Sequence, residues 1–132
     1  MDLERKFLSS PIKASNVIGT PVINANGDKL GDIKEIVIDP RSGRVAYAVV
    51  SFGGFLSVGA KLFAIPFSAF QYTVRKSEYV QNDFPQYEYI LDVSKERLEA
   101  APGFDPDHWP LLSDENWHRD THKYYERMPY WE

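Results

Sequence analysis

Between Val17 and Val93 the apolar residues come in short runs, each cut off by residues that turn the chain, and this spacing limits the fold more than any other feature. Runs this short, rich in β-branched and aromatic side chains, fit strands rather than helices. Thr20 to Asn24 reads as a first strand, closed by Asn26-Gly27-Asp28, where Asn and Gly accept positive φ. Leu30 to Asp39 reads as a second, and Asp39-Pro40-Arg41-Ser42-Gly43 reverses the chain. Arg44 to Phe52 is apolar almost throughout, the pattern of a strand buried on both faces. Lys61 to Ile65 is a short fourth strand that ends at Pro66. Phe70, Tyr72 and Val74 alternate with Gln71, Thr73 and Arg75, and Tyr87, Tyr89, Leu91 and Val93 alternate in the same way. The polar stretch Lys76 to Pro85 links these last two. Six short strands predict an all-β domain, a small barrel rather than a sandwich, because closure removes exposed edges.

The ends differ from the middle. Residues 1–15 have no clear period and are expected to form an extended lead-in to a domain over residues 16–102. Ser94 is a good N-cap for a short helix from Lys95 to Ala101, stopped by Pro102-Gly103. Residues 103–132 form a separate extension holding seven of the nineteen aromatic residues and all three tryptophans. Ser113 is placed to cap a second helix, from Asp114 to about Arg127. On it Trp117, Thr121, Tyr124 and Met128 fall on one stripe, and His118, His122 and Tyr125 on the next. Large rings bury about 150–250 Å² each, so this tail is expected to wrap the barrel or to cross onto a second subunit.

Charge excludes some partners. Residues 1–102 carry twelve acidic and twelve basic side chains, whereas residues 103–132 carry seven and three, so the tail supplies the whole net charge of −4. Without a basic stripe, direct nucleic-acid binding is not expected, since phosphate neutralisation dominates that affinity. No run approaches the roughly 18 apolar residues of a membrane span, and the N-terminus lacks the features of a signal peptide. With no cysteine for disulfides or thiolate metal sites, a cytoplasmic location is the default expectation.

Residues 14 to 102 resemble the PRC-barrel family. The resemblance rests on Ala14-Ser15-Asn16-Val17-Ile18-Gly19, on Asn26-Gly27-Asp28-Lys29-Leu30-Gly31-Asp32-Ile33, and on Ile38-Asp39 before the Ser42-Gly43 turn. It continues through Ala48-Val49-Val50-Ser51-Phe52-Gly53-Gly54-Phe55-Leu56 and ends at Phe63-Ala64-Ile65-Pro66-Phe67. The family takes its name from the photosynthetic reaction centre H subunit and includes the C-terminal domain of a ribosome-maturation factor. The resemblance implies a compact β-barrel that docks proteins and carries no catalytic residues. The tail is similar to an extension on some stand-alone bacterial members, through Pro102-Gly103-Phe104-Asp105, Trp109-Pro110, Trp117, His122, Tyr124-Tyr125 and Pro129-Tyr130-Trp131. From this sequence neither the N-terminal membrane helix of the H subunit nor the second domain of the ribosome factor is expected, so neither specific role is expected either.

No motif supports catalysis or a cofactor. Gly53-Gly54 and Gly59 match neither a GxGxxG nor a Walker pattern. Asp28, Asp32, Glu35 and Asp39 lie among Lys29 and Lys34, as on a solvated face, and there is no Gly-x-Ser-x-Gly elbow. His118 and His122, with Glu115 three residues earlier, have the spacing of a helical zinc pair. The HExxH glutamate is absent, and Arg119 would repel a cation, so a packed or surface pair is favoured.

The apolar Phe55, Leu56 and Val58 fall in an expected loop, where they either form a docking surface or plug the barrel end. The sequence thus leads to a non-enzymatic protein-interaction module, expected to form a homodimer with an unidentified protein partner. Its interaction surface is assigned to Phe55, Leu56, Val58, Trp117, Tyr124 and Trp131. The alternatives are a small-ligand or metal-binding barrel using the aromatic tail with His118 and His122, and a ribosome- or RNA-processing-associated factor.

Overall fold

The computed structural model describes residues 11–52, 61–74 and 87–131. Its strands are β1 (Pro21–Ile23), β2 (Lys29–Asp39), β3 (Arg44–Phe52), β4 (Lys61–Pro66), β5 (Phe70–Val74) and β6 (Tyr87–Leu91). They form one sheet in the order β4-β3-β2-β1-β6-β5, with every pair antiparallel except β1 and β6. The turns work as their residues require. Gly27 and Gly43 have φ of 86° and 75°. Asn24 Oδ1 accepts from the Asn26 and Asp28 amides, and the Asp39 carboxylate accepts from the Arg41 amide and the Ser42 hydroxyl.

Three irregularities curl the sheet. Register slips next to Leu30 and Lys34 on β2 and next to Ala46 on β3 place one extra residue opposite its partner strand. Each bulge adds local twist and bends the strand. Gly31 lies between the first two, where a Cβ would stand 2.1 Å from the Ser51 carbonyl oxygen. Only glycine permits β2 and β3 to approach so closely.

The expected closed barrel is not what forms. The sheet is a curled half-barrel whose end strands β4 and β5 do not pair with each other. A single 3-10 turn, Phe67–Ala69, carries the chain from one edge to the other. Two devices take the place of closure. Leu62 on the outer edge of β4 exchanges both backbone hydrogen bonds, each 2.9 Å, with Phe104 of the tail. In addition, Leu98 and Tyr125 from outside the sheet join Val22, Leu30, Ile33, Ala48, Val50, Phe63, Ile65, Tyr89 and Leu91 in the inner core.

Among the described residues, three α-helices accompany the sheet. Residues 14–17 depart from the extended lead-in: α1 (Ala14–Val17) is one helical turn that buries Val17 in the core, and the Thr20 hydroxyl donates to the Asn16 carbonyl at 3.0 Å. Residues 1–10 lie outside the described residues. α2 (Lys95–Glu99) begins at Ser94, whose hydroxyl accepts from the Arg97 amide, and ends two residues sooner than expected. α3 (Glu115–Tyr124) is capped by Asp114 rather than by Ser113, its carboxylate accepting from the Asn116 and Trp117 amides. α3 also stops before Arg127, because Glu126 takes a left-handed φ of 57°. That reversal folds Tyr130 and Trp131 back over His122 and leaves Met128 73% exposed, off the stripe expected to bury it.

Replacing Gly31 with Ala is expected to destabilise the fold by about 1–3 kcal/mol, the usual cost of overpacking, measured as a lower midpoint in urea unfolding. An unchanged midpoint would show that β2 and β3 part freely at this point.

Candidate interaction surface

The outer face of β3 is where barrel and tail meet. Alternation along β3 sends Ala48 and Val50 inward and Tyr47 and Val49 outward. An outward tyrosine would ordinarily be wet, yet Tyr47 is fully buried. With Ala46, Val49, Leu62 and Ala64 it forms a second apolar cluster, covered by Phe104, Trp117 and Tyr130 of the tail. Tyr47 packs against Trp117 at 5.3 Å between ring centroids, stacks on His118 at 5.5 Å and meets His122 edge-on at 5.4 Å. Such ring pairs contribute about 0.5–1.5 kcal/mol each beyond simple burial.

Polar atoms in this cluster are satisfied by one another. The Tyr47 hydroxyl lies 2.5 Å from Nδ1 of His118, and Nε2 of His118 lies 2.7 Å from the Leu112 carbonyl oxygen. A carbonyl can only accept, so Nε2 carries the proton and Nδ1 accepts from the phenol. Burial, reinforced by Tyr130, holds the Tyr47 phenol far above its ordinary pKa, which keeps it a donor. His122 donates from Nδ1 to the His118 carbonyl at 2.7 Å, and its contact with the Tyr47 oxygen is longer, at 3.5 Å. Desolvation lowers the His122 pKa, with the neighbouring His118 adding to the effect and the hydrogen bond to the His118 backbone opposing it.

The helical pair of histidines is therefore brought together, but as packing. Both ring nitrogens of His118 are occupied by protein partners. Glu115 turns to Arg119 at 2.7 Å instead of joining them. Among the described residues no group of three His, Cys, Asp or Glu side chains could hold a metal ion.

The assigned surface residues divide. Trp117 is half-buried against Tyr47, and Tyr124 is committed to α2. The Tyr124 hydroxyl donates to the Arg97 carbonyl at 2.6 Å, and the Arg97 guanidinium donates to the Tyr124 carbonyl and lies 4.6 Å from its ring. Trp131 keeps an exposed edge while its ring meets both histidines. Phe55, Leu56 and Val58 lie outside the described residues. Tyr47 was missed as a site residue, although the unbroken apolar run around it signalled a strand with both faces covered. Exposed Leu111 and Leu112, which no periodicity singles out, were missed as well, while Trp109 beside them stood out only as one of the tail aromatics.

Two outcomes test this packing, with tryptophan fluorescence as the readout because every tryptophan lies in the tail. Tyr47→Phe leaves Nδ1 of His118 without its donor and is expected to cost about 1–3 kcal/mol. Tyr47→Ala opens a cavity as well and is expected to cost about 3–5 kcal/mol. His122 takes up a proton less readily folded than unfolded, so its contribution is complete above the ordinary value of about 6.5 and is lost as pH falls below it toward the lowered folded value. Thermal stability should therefore fall on acidification through that window, and less steeply in His122→Gln. Parallel slopes would remove His122 as the cause.

Known proteins share part of this chain. A stretch of 42 residues is 36% identical to an uncharacterized protein of Deinococcus radiodurans; it covers 32% of this chain and 15% of that relative. This similarity thus touches only a small part of a much longer protein. The PRC-barrel domain family matches residues 11–85, more than half of the chain. That match takes in α1 and β1 to β5, with the curled sheet built upon them. The chain belongs to the PRC-barrel family.

Proposed function

We propose that this chain is a non-catalytic protein-interaction module, acting in the cytoplasm as a homodimer, in which the half-barrel is the scaffold and the tail and the β3–β4 connection present the contact surface. One observation carries the reading. Tyr47 and His118, side chains with chemistry to offer, are engaged with each other and with backbone, while apolar Trp109, Leu111, Leu112 and Trp131 remain exposed on an anchored segment. Exposed apolar groups of this kind mark interaction sites. Membership of a family whose barrels serve as docking modules supports the same reading. Phe55, Leu56 and Val58 supply the self-association part of the proposal, next to the strand ends that flank them.

Sedimentation velocity on wild type and Leu56→Asp tests it. Wild type is expected to dimerise at micromolar concentration, and the variant to run as a folded monomer with an unchanged circular dichroism spectrum. An unfolded variant would assign the loop to the core. A wild type that stays monomeric, and that recovers no near-stoichiometric protein when affinity-purified from its native cell, would defeat the reading.

A further inference from the structure

The segment that leads from the β4 edge into α3 combines three properties that rarely occur together: it is fixed, apolar and acidic. It is fixed at both ends. Phe104 is paired in register with Leu62, and the Leu112 carbonyl accepts from Nε2 of His118. Between these anchors the Trp109 ring packs on Phe104 at 5.0 Å. Yet the apolar side chains turn outward: Leu111 is 72% exposed, Leu112 44%, Trp109 38%, and Trp131 40% beyond His118. An unconstrained loop would turn such groups inward, whereas here the anchors hold them in water.

Charge identifies the occupant. From Leu98 to His118 there is no lysine or arginine, while Glu99, Asp105, Asp107, Asp114 and Glu115 are all exposed. Asp105 and Asp107 stand beside Trp109, with His108 3.9 Å from the Asp105 carboxylate. Asp114 caps α3, its carboxylate accepting from the Asn116 and Trp117 amides. Two cations reach the far end: Arg119, already 2.7 Å from Glu115 and 5.7 Å from the Trp131 ring, and Arg44, which donates to the Tyr130 carbonyl at 2.9 Å. An apolar strip with an acidic margin complements a surface of the opposite pattern, apolar at its centre and cationic at its rim.

We propose that Trp109, Leu111 and Leu112, rimmed by Asp105, Asp107 and Asp114, form a docking site for a basic amphipathic segment of a partner protein. The inference rests on the interaction-module reading and names the chemistry of the partner. Apolar contact supplies the specific part of the affinity. The carboxylates draw in lysine- or arginine-rich partners and repel acidic ones.

The probe is a synthetic amphipathic helix of leucine and lysine, with one analogue carrying serine for leucine and another carrying glutamate for lysine. Calorimetry gives affinities, and amide chemical shifts locate the site. The leucine–lysine peptide is expected to bind with shifts over residues 104–115 and at Trp131, and both analogues to bind at least about tenfold more weakly. Leu111→Asp separates docking from general attraction, because it adds negative charge: it should weaken binding about tenfold here and strengthen it if the attraction is diffuse. Binding that survives Leu111→Asp, equal binding of the glutamate analogue, or no binding at all overturns the proposal. So does a wild-type dimer that Leu111→Asp dissociates, since the occupant is then a second copy. Failure in these arms leaves the Leu56→Asp result untouched, so the two readings fall separately.

Discussion

The fold depends on covering both faces of β3. A half-barrel of this size encloses only one modest core, and a strand as apolar as Arg44–Phe52 cannot leave one side to water. Burying Tyr47 on the outer face requires the tail, and the tail in turn has no core of its own without that face. Each part solves the other's exposure. Because Trp117 belongs to the outer cluster and Tyr125 to the inner one, α3 straddles the β4 edge and ties the two cores together. Tail and sheet thus share both clusters.

The polar chemistry follows from this burial. Tyr47, His118 and His122 sit where an unpaired donor or acceptor would be costly, and their arrangement leaves little choice of tautomer: carbonyls at Leu112 and His118 each fix one ring proton. Side chains that look reactive in the sequence thus act as fitted polar packing. The second tie, from Arg97 to Tyr124, works in the same way and closes the tail onto α2 with two reciprocal hydrogen bonds.

Much of this was legible in the sequence because it is local. Strand positions follow from alternation and turn chemistry: Asn26-Gly27-Asp28 and Asp39 to Gly43 determine where β2 begins and ends, whatever packs upon it. The helix at Lys95 follows from Ser94 in the same local way. What depends on distant partners was not legible. Whether β4 meets β5 is decided by the bulges at Leu30, Lys34 and Ala46 and by the competing pairing of Leu62 with Phe104. The choice of Asp114 over Ser113 as cap, and the left-handed Glu126, reflect where Tyr130 and Trp131 must land rather than any propensity. Tyr47 lacked a site signature because its role appears only when Trp117 and His118 arrive from the far end of the chain.

The parallel pairing of β1 with β6 has a consequence for synthesis. Val22 lies beside Tyr89, so the sheet has no centre until the sixth strand has been made, and α3, which completes both cores, comes later still. Such non-local pairing makes folding slow relative to helical proteins of equal length. While the chain is still on the ribosome, β2 to β4 can form only a bare hairpin ladder with Tyr47 unprotected. A folding intermediate in which β2 to β4 have paired before α3 docks therefore exposes Tyr47 and its apolar neighbours, the kind of surface that makes partly folded chains prone to aggregate.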